Sequence, residues 1–163
     1  MIINALITIG IINIFSNFSI KDFGVTSQSI SITIHLGFII WFILLLIVHE
    51  LLHLLFIPNF SQSKNTFIGL TLFGGYVYTE DELSKSRYIM ITIAPFVIIS
   101  IIMPITLAAF GLLTPLMKFL ILVNSMASSV DILNFLLILF QIPRNAIIKS
   151  NGTKTYWKLN KSY

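Results

Sequence analysis

No cysteine occurs among the 163 residues of this chain, which removes disulfide frameworks, thiolate metal ligands and cysteine nucleophiles together. Charge is scarce as well. Asp, Glu, Lys and Arg make up 10% of the residues, against roughly 25% in soluble domains. Any metal here must therefore be held by His and carboxylate, and the chain has only three His and six Asp plus Glu. The net charge of +4 is spread over ten separated cations, which suits topology signals beside membrane spans better than a nucleic-acid surface.

Apolar residues fill the space that charge leaves. Hydrophobic side chains reach 56% and the mean hydropathy is +0.96, the profile of an integral membrane protein. Four apolar stretches, at about 1–20, 31–57, 88–110 and 117–140, are each long enough to cross a hydrocarbon core of roughly 30 Å as a helix. The expectation is an all-α membrane protein: one domain over 1–163, built as a bundle of about four transmembrane helices. The first stretch has no Lys or Arg before its apolar run and no convincing cleavage site, so it reads as a retained span; Asn4, Asn13 and Asn17 weaken it.

Lys64, Lys85 and Arg87 fall between the second and third stretches, and Arg144, Lys149, Lys154, Lys158 and Lys161 fall in the basic tail 141–163. By the positive-inside rule this face is cytoplasmic, in a multi-pass protein of the cell membrane. Within the same loop, residues 66–78 (TFIGLTLFGGYVY) are rich in β-branched and aromatic residues around Gly74-Gly75, which predicts a short β hairpin in the cytoplasmic loop between helices 2 and 3. Thr79 and Glu82 have capping-box spacing for the next helix. Pro95 and Pro104 interrupt the third stretch, freeing carbonyls and bending it. The tail, with five cations plus Tyr156, Trp157 and Tyr163, suits anchoring at anionic lipid headgroups.

The chemistry concentrates in His49-Glu50-Leu51-Leu52-His53, near the end of the second stretch. Two His four residues apart project from one helix face as metal ligands, and Glu50 beside them is a candidate general base. A catalytic zinc needs a third protein ligand and an open position. Asp131 is the one carboxylate outside the motif embedded in an apolar stretch. Its stretch should run parallel to that of His49 and His53, and all three lie roughly 7 to 15 Å from the cytoplasmic helix ends at 1.5 Å per residue. The competing reading of Asp131 is a packing hydrogen bond with Asn134 or Ser128. His35 is fourteen residues before His49, roughly 21 Å along a helix, so it cannot join the same site; it reads as an interfacial His or as a polar group lining a water path. Asn124, two turns before Asp131, is a candidate for a substrate carbonyl or for polar packing.

These residues resemble the site-2 protease family of intramembrane zinc metalloproteases, and more closely a branch of small bacterial membrane proteins described as zincin peptidases. The resemblance covers about 31–140. HELLH matches the family's HExxH, Gly74-Gly75-Tyr76-Val77 its GGYV strand, Ala94-Pro95 its AGP, and 124–131 its Asn-Pro-Leu-Asp-Gly region. This chain lacks the glycine between Ala94 and Pro95, has no proline after Asn124, and carries Ile132 after Asp131. The resemblance implies a three-span catalytic core, Asp131 as third ligand, and an extended peptide substrate held along Gly74, Gly75 and Tyr76 by edge pairing.

The sequence thus predicts an intramembrane endopeptidase with one Zn2+ per chain, bound by His49, His53 and Asp131, with Glu50 as base. Its partners would be the bilayer and a membrane protein or peptide whose span is broken by Gly, Asn or Pro. The alternatives are a non-catalytic metal-binding membrane protein of immunity or partner-binding type, and an ion or proton carrier using Glu50 and Asp131.

Overall fold

A computed structural model of the chain describes residues 1–19, 21, 36–71 and 74–160. His35 and the beginning of the second apolar stretch, 31–35, lie outside the described residues. In chain order the elements are α1 (Ile2–Phe15), α2 (Leu36–Phe56), β1 (Thr66–Thr71), β2 (Gly74–Thr79), β3 (Leu83–Ser84), α3 (Lys85–Pro95), a π-helical segment (Phe96–Ile102), α4 (Met103–Ala109), α5 (Pro115–Ala127), α6 (Ser129–Gln141), β4 (Ala146–Ser150) and β5 (Thr155–Leu159). The protein is mostly helical, with two small sheets.

Among the described residues, two helical segments are long and apolar enough to cross a membrane: Gly37–Phe56, and Lys85–Ala109 running through α3, the π segment and α4. A third exists if α5 and α6, broken at Ser128, count as one span. The first stretch, read from sequence as one of about four spans, forms a shorter apolar helix among the described residues. Helix α1 has 14 residues, roughly 21 Å at 1.5 Å per residue. The Asn13 side chain accepts a hydrogen bond from the Phe18 amide (2.6 Å), and Ser16 is already extended. A side chain that bonds the backbone locally competes with the next helical turn, and here it wins.

The chain divides into two compact units, Met1–Leu45 with Phe96–Ser129, and Leu46–Pro95 with Val130–Tyr163. In the first unit, α1 packs against α5, and Ile12 of α1 and Ile121 of α5 are both fully buried. Small polar side chains knit this packing: Thr8 Oγ1 donates to Ser125 Oγ (2.8 Å), and Asn124 Nδ2 donates to Ser100 Oγ (3.0 Å). Slender residues such as Ser125 let helix backbones approach closely in an apolar setting.

In the second unit, β1 and β2 pair antiparallel, with Leu70 opposite Gly75 and Gly69 opposite Tyr76. This is the hairpin the sequence predicts. The second sheet, ordered β3-β4-β5, has no counterpart in the all-α expectation, because most of it comes from the tail read as an anchor. Ile148, opposite Leu83 in the sheet, joins Ile138, Ile142 and Ala146 in a small core with Tyr88 and Ile89 against it. The last carbonyls of α6 lack intrahelical donors, and the buried Lys85 ammonium donates to one of them, Leu139 O (2.9 Å), and to Ile142 O (2.6 Å) just past the helix.

The predicted capping box at Thr79 and Glu82 is not formed. Residues 83–84 enter a strand first, so α3 begins only at Lys85. Thr79 Oγ1 accepts from the Asp81 amide instead, Glu82 pairs with Lys158, and Ser84 Oγ accepts from the Arg87 amide (3.4 Å).

Candidate metal centre

Helix α2 carries the HELLH pentapeptide in its last two turns, so the i, i+4 spacing aligns the two imidazoles. Their ring centroids are 5.1 Å apart and nearly perpendicular. Asp131 sits in the first turn of α6 and aims Oδ2 at both rings, 3.3 Å from His49 Nε2 and 3.6 Å from His53 Nε2. The side chains of His49, His53 and Asp131 are 12%, 11% and 19% exposed. One ligand atom from each lies within 4.8 Å of the others, a grouping that could hold a metal ion.

The orientation of His53 has a traceable cause. Its Nδ1 is 2.8 Å from the carbonyl oxygen of Ile91; a carbonyl only accepts, so Nδ1 carries the hydrogen, and in the neutral ring Nε2 is left with a lone pair. Ile91 can receive this bond because the residue four positions on is Pro95, which has no N–H for the usual helical bond. A helix defect in α3 thereby fixes a tautomer on α2. Metal-binding His are commonly oriented in this way, by a carbonyl on the ring nitrogen away from the ion.

These contacts also test whether the site fits a cation. The His53 Nε2 lone pair and an Asp131 carboxylate oxygen, 3.6 Å apart, are both acceptors and cannot satisfy each other. A proton could join one such pair, whereas a single divalent ion satisfies His49, His53 and Asp131 at once. The donor set, two imidazoles and a carboxylate, suits zinc.

Glu50 is half-buried, within electrostatic reach of His49, His53 and Asp131. Strand β2 passes against it at Gly75, where a Cβ would fall 2.6 Å from Glu50 Cγ. Only glycine permits that approach. Gly74 has φ 143, a conformation side chains disfavour, and Tyr76 is 41% exposed and stacks on Tyr78. Asn124 belongs to the other unit, where it is 1% exposed and bonded to Ser100, which gives it a packing role there. The packing alternative for Asp131 would have used Ser128 or Asn134; the carboxylate faces the imidazoles instead, and Ser128 Oγ is buried with no hydrogen-bond partner.

Next to the ligands lies a cavity of about 170 Å3 reached by His53 and Asp131 and bordered by Ser150 and Gly152 of the β4–β5 hairpin. Sequence reasoning missed this hairpin and the part played by Ile91. The signals were present: Asn151-Gly152 between two β-prone runs is a hairpin turn signature, and Pro95 marked a carbonyl without its helical donor.

This arrangement brings the two His of an HExxH pentapeptide and an acidic side chain into one group that could hold a metal ion. A family model described as "putative zincin peptidase" matches residues 42–147, two thirds of the chain, and the chain belongs to that family. Zincins are zinc-dependent peptidases, so zinc and peptide hydrolysis are the cofactor and reaction class that membership implies. The matched segment contains His49, Glu50, His53 and Asp131 and ends before Ser150. No curated protein and no solved structure matches the chain.

Proposed function

We propose that this protein is an intramembrane zinc endopeptidase of the site-2 protease type, lying in the cell membrane with its site toward the cytoplasm. The observation that carries the reading is the convergence of His49 and His53 Nε2 on Asp131 Oδ2, at 3.3 and 3.6 Å, near one end of an apolar helix long enough to span a bilayer. Ionisable groups in such a segment are costly and mark a site. Three ligands, the number grouped among the described residues, leave an open position, which favours a catalytic over a closed structural centre.

In this reading His49 and His53 bind zinc through Nε2 and Asp131 binds it through its carboxylate. Zinc held there supplies Lewis acidity that lowers the pKa of water and polarises a scissile carbonyl. Glu50 takes a proton from the attacking water as its oxygen bonds to the carbonyl carbon, then gives that proton to the amine nitrogen as the C–N bond breaks. Gly75 lets β2 run beside Glu50, and an extended peptide would pair along the edge of β2 not bonded to β1. A helical span keeps its carbonyls bonded internally, so the substrates are membrane segments loosened by Gly, Asn or Pro.

The test is cleavage of membrane-embedded peptides by purified protein, alongside its metal content. Wild type should hold one zinc per chain, and Glu50→Gln should keep it while losing about 10²–10⁴-fold in kcat. An active Glu50→Gln protein would sink the assignment.

A further inference from the structure

The hydrolytic reading uses the ligands, Glu50 and β2, and leaves the 170 Å3 cavity without a task. His53 and Asp131 reach into it, and they are the only acidic or basic side chains among its described lining. The remaining wall includes apolar Val77, Leu83 and Ile91, the Asn134 amide, and hydroxyl-bearing Tyr, Thr and Ser side chains, Ser150 among them, all neutral. An apolar cavity of about 150 Å3 admits benzene, so this one has room for a neutral side chain of leucine or phenylalanine size.

Its border on the C-terminal side is firmly built. The turn residue Gly152 has φ 85, and a Cβ there would fall 3.1 Å from the Tyr78 ring. The turn is closed by Asn151, whose side chain accepts from the Lys154 amide (2.8 Å). Farther along, Tyr88 Oη and Thr155 Oγ1 are bonded at 3.3 Å, Lys158 pairs with Glu82, and Ile148 is fully buried. Ser150 and Gly152 lie beyond the residues that match the family.

We infer that the cavity is the specificity pocket for a substrate side chain beside the cleaved bond, and that the β4–β5 hairpin sets its size through Ser150 and Gly152. The inference rests on the peptidase reading. The pocket accepts leucine- or phenylalanine-sized neutral groups and rejects lysine.

The experiment uses the full chain, zinc-loaded in nanodiscs, and a library of membrane-embedded peptides that differ only at the two positions flanking the cleaved bond: Ala, Leu, Phe or Lys. Wild type should favour Leu and Phe over Ala and Lys by about tenfold or more in kcat/KM, the discrimination a pocket gives for a few methylenes. Ser150→Leu, which fills the pocket, should invert the order of Phe and Ala, and Val77→Ala, which enlarges it, should favour Phe further. Variants that scale every substrate by one factor, or leave the order unchanged, overturn the pocket. A second readout needs no turnover: Glu50→Gln protein is irradiated with a peptide carrying a diazirine analogue of leucine at the flanking position. Cross-links should map to 77–92 and 148–152; cross-links found only elsewhere overturn the inference. If wild type cleaves no member of the library, the peptidase reading fails, and the cross-linking map still decides whether the cavity takes a side chain.

Discussion

The two units spend their polar side chains in opposite ways. In the first, Thr8 is bonded to Ser125 and Asn124 to Ser100, so donor meets acceptor and the groups serve helix packing. In the second, His49, His53 and Asp131 turn ring nitrogens and a carboxylate toward one point. All of these residue types are costly in an apolar helix. What separates packing from chemistry is whether the partners cancel, and among the described residues the second unit gathers the group of side chains that could hold a metal ion.

The comparison is broken most forcefully at the ligands. His53→Ala and Asp131→Ala should each lose stoichiometric zinc, measured by elemental analysis, and hydrolysis should fall to background. Chelation of wild type should do the same and zinc should restore it. Retained zinc in Asp131→Ala would remove the third ligand from the site. Gly75→Ala should lower kcat by about 10²-fold, because its Cβ would fall 2.6 Å from Glu50 Cγ, while metal content stays near wild type; an unchanged kcat would show that β2 does not position the base. Pro95→Ala restores an N–H for Ile91 O, which then competes with His53 Nδ1, and zinc affinity should drop about tenfold in a competition titration.

The packing side is sharpened by smaller changes. Ser125→Ala leaves the Thr8 hydroxyl without its acceptor and should destabilise by about 0.5–1 kcal/mol in a reversible unfolding assay, without altering zinc content. Ser128→Ala removes a buried hydroxyl that has no partner and should be neutral or slightly stabilising. The smallest effect concerns Asp81, in the segment between α2 and α3. Hydrogen bonds from Ser63 and then Asn65 hold its carboxyl below the ordinary 3.8. A depressed folded pKa means stability that is present above 3.8 and lost as pH falls through the folded value. Asp81→Asn should thus lower Tm slightly at neutral pH, with the difference vanishing in acid; a constant difference across pH would assign the effect to something other than this titration.

Much of the candidate site was legible because it rests on short-range pattern. HELLH places two candidate ligands along one helix face with a candidate base beside them, and the shared depth of Asp131 brings in the third candidate. Gly74-Gly75 within β-branched and aromatic residues announced the hairpin. The rest depended on competition between local and longer-range bonding. Asn13 ends α1 by bonding the Phe18 amide, which an apolar count cannot register. The tail hid a sheet because Lys154 and Lys158 pointed to an anchoring role, while Ile148, opposite Leu83, carries the pairing that draws the tail into a core. The π segment between Pro95 and Pro104 lies where the sequence predicts a bend, although its winding was not readable.

Pro95 gives the centre a property that a list of ligands does not contain. Because Ile91 O already holds the His53 ring by its far nitrogen, the imidazole does not have to be frozen out of several rotamers when an ion arrives, and that ordering entropy is already spent in the folded chain. Readiness for the ion is thus written into α3, on a residue outside the ligand set.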